Sequence, residues 1–240
     1  MAETYERRRP TYPAALVEWL VERVGLRPGA TVVDLGAGTG KLTRDLVPSG
    51  ARVIAVEPLS EMREQLEAVV PDAEVLAGSA EQLPLPDSSV DAVVAASAFH
   101  WFETEQALSE IHRVLAPGGA LATVGNGRDL SDPLQRGIQA IVGRYLPTTD
   151  EILSWIAVVD ASPLFGPAEE FATTFEQWFD AEGLAERMGT VSYVARLPDE
   201  ERLHVLAQIR ELGETQPGSP FPFRYRTEAR VCRAAAATTL

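Results

Sequence analysis

The chain has 240 residues, 45% of them hydrophobic and 23% charged, which suits one α/β domain with a sizeable core. Its net charge of -14 weighs against a nucleic-acid partner, because phosphate binding draws on clustered Lys and Arg, and the basic run Arg7-Arg8-Arg9 is short and sits close to Glu3 and Glu6. The single cysteine, Cys232, excludes an internal disulfide; the longest apolar run, around Ala92–Phe99, is far too short to span a bilayer; and Met1 to Tyr5 lacks a signal-peptide core, so a soluble cytoplasmic protein is expected.

Residues 5 to 13 are polar and broken by Pro10 and Pro13, which predicts an extended arm. Leu16, Val17, Leu20, Val21 and Val24 then recur at helical spacing as far as Gly25. Thr31 to Leu35 is β-branched and apolar, a short buried strand. It runs directly into Gly36, Gly38 and Gly40, and from Lys41 helical spacing resumes up to Pro48.

A strand, a tight glycine turn and a helix start make a cradle of nucleotide size, since glycine lets backbone approach a ligand closely and the helix start offers free N–H groups. The dinucleotide pattern G-x-G-x-x-G requires glycine at position 41, where the chain has Lys41. Asp34 at the strand end would repel a pyrophosphate but can accept a hydrogen bond from an ammonium group. Taken alone, the glycines leave both a cofactor loop and an ordinary strand-to-helix turn open.

Further along, Arg52 to Glu57 reads as a second strand stopped by Pro58, with Ser60 as the N-cap of a helix carrying Met62, Leu66 and Val69. Ala73 to Ala77 is a weak third strand, and Gly78 to Ser89 is a loop. Val90 to Ser97 is a near-continuous apolar run expected of a central strand. Glu103 to Leu115 is an amphipathic helix, closed by Pro117-Gly118-Gly119 before a fifth strand at Ala120 to Val124. Regular alternation of strands and helices predicts a parallel sheet covered on both faces.

Beyond Gly127 two helices, Pro133 to Tyr145 and Glu151 to Val159, follow without a strand between them and are read as a cap. A strand through Phe171, Thr173 and Phe175 and helices over Ala181 to Met188 and Asp199 to Leu212 come next. Phe221 to Val231 alternates strictly, which predicts a half-buried edge strand inserted antiparallel as the seventh.

Several side chains are placed to carry chemistry. Glu57, ending the second strand, is read as a ribose ligand rather than a solvated terminal carboxylate. Asp91 is read as a capping or solvent-side residue. Gly78 to Pro86 lies at the carboxyl end of the sheet, where Ser79 and backbone amides could read an adenine edge; a plain surface loop is the alternative. Phe99-His100-Trp101-Phe102 after the fourth strand either walls a small-molecule pocket, with His100 as donor or base, or plugs the gap between strand and helix. His112 and His204 fall on helices without evident partners. No metal-ligand spacing and no G-x-S-x-G elbow is present.

Four motifs in order, Val33-Asp34-Leu35-Gly36-Ala37-Gly38-Thr39-Gly40, Val56-Glu57-Pro58, Ala80-Glu81-Gln82-Leu83-Pro84 and Arg113-Val114-Leu115-Ala116-Pro117-Gly118-Gly119, resemble the class I S-adenosylmethionine-dependent methyltransferases, in particular the small-molecule branch with ubiquinone-pathway and trans-aconitate methyltransferases. The resemblance covers roughly residues 5 to 128. It implies a Rossmann-like, doubly wound α/β sheet of seven strands with the last antiparallel. It also implies one methyltransferase domain divided as arm and helix (1–30), cofactor core (31–127), helical cap (128–166) and completing elements (167–240). The cofactor would be S-adenosyl-L-methionine, leaving as S-adenosyl-L-homocysteine.

By the same resemblance, Asp34, Gly36, Ala37, Gly38 and Gly40 hold the amino-acid part and Glu57 the ribose. Pro58 and Leu59 flank adenine. Ser79, Ala80 and Glu81 supply the loop after the third strand, where the family often has Gly-Asp and this chain has Gly78-Ser79. Ser97 ends the fourth strand beside the cofactor, and Arg9 and Tyr12 come from the arm. Tyr5, Phe99, His100, Trp101 and Tyr193 are candidates for the acceptor pocket, with Trp155, Phe165 and Trp178 able to line it or to build the cap core.

The expected reaction is in-line methyl transfer to a small organic acceptor, at oxygen, with His100 as base, by a monomer or homodimer that needs no metal. An NAD(P)-binding oxidoreductase and a non-enzymatic cofactor-binding protein are the competing readings.

Overall fold

Apolar β-branched runs and amphipathic helices alternate along the first half of the chain, and in the computed structural model each becomes the element its spacing dictates. The structure describes residues 10–146 and 156–236; the expected positions of Tyr5, Arg9 and Trp155 lie outside them. In chain order the elements are α1 (Ala14–Val24), β1 (Thr31–Leu35), α2 (Lys41–Leu46), β2 (Arg52–Val56), α3 (Ser60–Val69), β3 (Glu74–Leu76), β4 (Val90–Ala96), α4 (Thr104–Val114) and β5 (Leu115–Arg128). They are followed by α5 (Pro133–Val142), β6 (Glu169–Phe179), α6 (Ala181–Gly189), α7 (Ser192–Ala195), α8 (Asp199–Glu214) and β7 (Phe221–Arg233). Residues 156–161 form one further short helical segment.

The seven strands are ordered β3-β2-β1-β4-β5-β7-β6. β1 pairs in parallel with β2 and β4, β2 with β3, and β4 with β5, and the last strands run antiparallel, as expected for this mixed sheet. One expectation is corrected. β7 is not at the edge; it lies between β5 and β6, and β6 takes the edge. Alternation of period two reports that one face is buried, and says nothing about whether a strand has one neighbour or two. A second correction concerns α3, whose N-cap is Leu59, with Ser60 already helical; Val69 is exposed and Val70 takes the buried position.

The chain forms two compact units. Among the described residues the larger comprises 11–125, 156–173 and 227–236, the smaller Pro10, 126–146 and 174–226. In the larger unit, strand side chains divide between two apolar layers. Val33, Leu35, Ile54 and Val93 pack with Leu108, Ile111 and Val114 of α4. Val32, Val53, Ala92 and Val94 pack with Leu16, Leu20 and Val24 of α1 and Leu42 and Leu46 of α2. β1 and β4 are therefore apolar on both faces, which is why their sequences read as continuous runs rather than alternations. Cys232 sits in this core, and burial pushes its thiol up to about 11, so it is inert as a nucleophile.

The smaller unit has its own core of Leu134, Ile138, Leu184, Val205, Ile209, Phe221, Phe223 and Tyr225. Within it Phe175 stacks on Tyr225 at 5.0 Å between ring centroids. The buried Arg187 donates from Nε to the Tyr225 hydroxyl at 3.0 Å. Trp178 is 58% exposed and so builds neither that core nor an enclosed pocket. Phe165 belongs to the larger unit, buried edge-on against His112. His112 is not partnerless, since its Nε2 lies 3.2 Å from the Ala235 carbonyl.

Candidate active site

The carboxyl ends of β1, β2 and β4 bring the sequence motifs together within the larger unit. β1 ends at Asp34-Leu35, and the chain turns through three glycines with φ of +69°, +58° and +87° at Gly36, Gly38 and Gly40. These glycines serve different purposes. A Cβ on Gly36 would stand 2.7 Å from the Ala98 Cβ, so that position is glycine because the loop after β4 presses against it. A Cβ on Gly40 would crowd Leu66 and Val70 of the α3 region at 3.0 Å. Gly38 has a left-handed φ and nothing within 4 Å of where a Cβ would stand. Its backbone therefore borders open space, as a turn that admits a ligand closely must.

The turn is fixed by backbone and carboxylate bonds. Gly36 and Ala37 both donate to the Val56 carbonyl, at 2.8 and 3.2 Å. Glu57, at the end of β2 and only 6% exposed, accepts from Gly38 N–H at 2.9 Å through Oε2 and from Leu59 N–H at 3.0 Å through Oε1. Each oxygen keeps a lone pair for a further donor. Arg63 closes the corner by donating to the carbonyls of Glu57 and Pro58. Leu59 projects outward, 59% exposed, an uncovered apolar side chain beside the turn.

Asp34 is the anomaly of the site. It is 1% exposed, and its Oδ2 accepts from the Thr43 hydroxyl at 2.6 Å, but Oδ1 is buried without any hydrogen-bond partner. Burial raises its pKa from the usual carboxylate range to about 6, with bonds from Thr43 pulling the other way and the negative charges of Glu57 and Asp45 adding to the rise. A buried oxygen with no donor costs the desolvation of that group. That cost is relieved by a ligand that brings a positively charged donor.

The loop after β3 is clamped rather than free. Arg113 on α4 donates twice to Glu110, to Asp87, and to the carbonyls of Leu85 and Leu83, at 2.7 to 3.2 Å. Glu110 in turn accepts from Leu83 N–H at 3.1 Å. Within the loop Ala80 is buried, Ser79 pairs with Gln82, and Glu81 accepts from Glu103 N–H at 2.9 Å at the start of α4. Burial tends to raise the pKa of Glu81, but that bond and one from Ser79 outweigh it and leave it lowered. The structure thus gives Glu81 a tethering position at the loop. Arg113 and Glu110 hold this loop, a role that reading by residue type missed, although Arg113 opens one of the four motifs.

After β4, Ser97 has a left-handed φ of +54°, a conformation that costs a non-glycine residue about 1–3 kcal/mol. Its N–H donates to the Val124 carbonyl at 2.7 Å, and its hydroxyl lies 3.5 Å from the Tyr12 hydroxyl. Residues 99–101 make a single 3₁₀ turn. Phe99 is buried in the core, its ring 5.2 Å from Phe102. His100 and Trp101 are exposed, their rings 5.1 Å apart. Tyr193 lies in the smaller unit, where its hydroxyl accepts from Arg128 at 2.5 Å. Asp91 is exposed and caps the start of β1, accepting from Thr31 N–H at 2.8 Å.

A strand–glycine–helix turn with an acid before it and a second acid ending the neighbouring strand is the layout of a Rossmann-like nucleotide-cofactor cleft. Residues 33–123 match the methyltransferase domain family. The chain is 36% identical over 215 residues to a methyltransferase-like protein of Schizosaccharomyces pombe, covering 89% of this chain and 84% of that protein. It is 37% identical over 213 residues to an uncharacterised methyltransferase of Mycobacterium tuberculosis, with the same coverage of both chains. A quinone-biosynthesis C-methyltransferase, UbiE of Enterobacter sp., is 32% identical over 140 residues, 54% of this chain and 56% of that one. Among solved structures, one described as a type II methyltransferase from Anaeromyxobacter dehalogenans superposes with a TM-score of 0.63 at 27% identity, covering 95% of this chain and 97% of that one. The chain belongs to the class I S-adenosylmethionine-dependent methyltransferases.

Proposed function

We propose that the protein uses S-adenosyl-L-methionine to methylate a small organic acceptor at an oxygen atom. The observation that carries the donor half of this reading is the buried, unmatched Oδ1 of Asp34, directly before a glycine turn whose Gly38 borders open space. Those residues fit the donor's amino-acid part: Asp34 accepts from its ammonium, and backbone at Gly36 to Gly40 packs against it with no side chain in the way. Glu57 accepts from the ribose hydroxyls with the lone pairs not used by Gly38 and Leu59. Leu59 and Pro58 flank the base, and Ser79 and Ala80 meet its edge from the clamped loop. Tyr12 and Ser97 border the same site from the arm and from the end of β4.

When bound, the donor supplies a methyl group already activated on a sulfonium, so the protein's task is to position the acceptor and exclude water. His100, exposed beside Trp101 on the turn after β4, takes the proton from an acceptor hydroxyl or holds a carboxyl acceptor in its ionised form. Trp101 offers a ring face to the cationic centre. A net charge of -14 favours a small-molecule acceptor over a nucleic acid; among the described residues no helix is long and apolar enough to cross a membrane.

Incubation with methyl-labelled donor and a panel of hydroxy and carboxylic acids should yield a labelled ester or ether that is hydrolysed or retained accordingly. His100→Ala should lower turnover roughly a hundredfold at saturating donor while leaving donor affinity unchanged. Label found on carbon or nitrogen, or a His100→Ala enzyme of full turnover, would overturn the acceptor half of the proposal.

A further inference from the structure

Thr43 lies on the first turn of α2 with no exposed surface, and neither its type nor its position in the motifs marks it as a site residue. A buried threonine on a short helix ordinarily returns its hydroxyl to the backbone carbonyl one turn earlier. This one instead donates to Asp34 Oδ2 at 2.6 Å, nine residues away and across the glycine turn. In the sheet, Asp34 stands between Ala55 of β2 and Val94 of β4, which offer it no polar side chain. Thr43 therefore anchors one carboxylate oxygen, and the other is left buried and unmatched.

We propose that Thr43 is a positioning residue of the methyl-donor site, holding Asp34 by one oxygen so that the second is presented to the ammonium of the donor's amino-acid part. This rests on the donor reading given above. It adds a proton linkage to it. The charged side chains acting on Asp34 are Glu57, from the end of β2, and Asp45, on α2; both are negative, and Lys41 and Arg44 of the same helix act on Asp45. Burial and these two acids favour the neutral carboxyl, whereas Thr43 favours the carboxylate. An arriving ammonium favours the carboxylate as well, so donor binding below the Asp34 midpoint expels its proton to solvent, and the ammonium takes the carboxylate's free lone pair.

The test is the dissociation constant of S-adenosyl-L-homocysteine, which carries the same ammonium, measured by calorimetry from pH 5 to 8 on the full chain. Wild-type affinity should weaken about tenfold per pH unit below about 6 and level off near neutrality. Thr43→Val should weaken binding at pH 7.5 and move the midpoint of the profile upward, and Thr43→Ser should restore both. Asp34→Asn should bind weakly with a flat profile, which keeps the proposal testable if Thr43→Val fails to fold. A flat wild-type profile with normal affinity overturns the linkage, and a Thr43→Val profile identical to wild type overturns the positioning role. Failure of wild type to bind at any pH overturns the donor reading itself.

Discussion

At the scale of single residues, the site carries two local costs that the surrounding fold holds in place: the left-handed backbone of Ser97 and the half-satisfied carboxylate of Asp34. For Asp34 the consequence for stability can be signed. Its folded pKa, about 6, lies above the usual value of 3.8, so between those values the folded state holds a proton that the unfolded state has released. Stability of the donor-free protein accordingly falls as pH rises through that window, and the loss is complete above it, amounting to about 3 kcal/mol. Asp34→Asn keeps the shape and removes the charge. The variant should therefore be more stable than wild type to urea at pH 7.5, by about 1–3 kcal/mol, with the difference shrinking toward pH 4. A variant no more stable than wild type at pH 7.5 would show that the carboxylate is already compensated. Trading stability for a ligand-ready charge is the usual cost of a binding site.

At the scale of elements, the glycine turn takes its shape from β2, and the loop after β3 takes its shape from α4. Arg113 does most of the second, with five hydrogen bonds spread over Glu110, Asp87, Leu85 and Leu83. A bidentate arginine fork is not replaced by a flexible apolar chain. Arg113→Met should cost about 2 kcal/mol, because carbonyls and Glu110 lose their donor while solvent reaches part of the cluster. The Arg113 bond is also the first reason that the Glu110 pKa is lowered. A lowered carboxylate stabilises the fold above its unfolded pKa and loses that contribution as pH falls through the folded value. Wild type should thus show an acid-side loss of stability as pH falls below the usual glutamate value of 4.5, and that loss is diminished in Arg113→Met. Urea midpoints at pH 7 and pH 3.5 check both statements, and equal midpoints for the two proteins at pH 7 would refute the clamp.

At the scale of the whole molecule, much of the fold was legible because buried parallel strands are continuous apolar runs and their helices keep a 3.6-residue period. β1, β2, β4 and α4 read directly, as did the glycine turn and the acid at Glu57. What escaped the sequence depends on contacts between distant residues. The position of β7 inside the sheet is invisible to its own alternation. Thr43 looked like any helix residue until folding placed Asp34 beside it, and Arg113 was one member of a motif until the loop 83–87 was seen to wrap it. His112 found its partner 123 residues away, at Ala235. The Phe99 and His100 pair was ambiguous for a different reason: adjacent residues on one 3₁₀ turn point to opposite environments, one into the core and one into solvent.

The proposed site at the ends of β1 and β2 is selective for S-adenosylmethionine and its product over a nicotinamide dinucleotide. It is tested most directly by calorimetric titration of S-adenosyl-L-homocysteine and, separately, NADH into the full chain at pH 7.5. One site with micromolar affinity for S-adenosyl-L-homocysteine is expected, abolished or weakened at least tenfold in Asp34→Asn, with no heat from NADH. No heat with S-adenosyl-L-homocysteine, or saturable binding of NADH in its place, would contradict it.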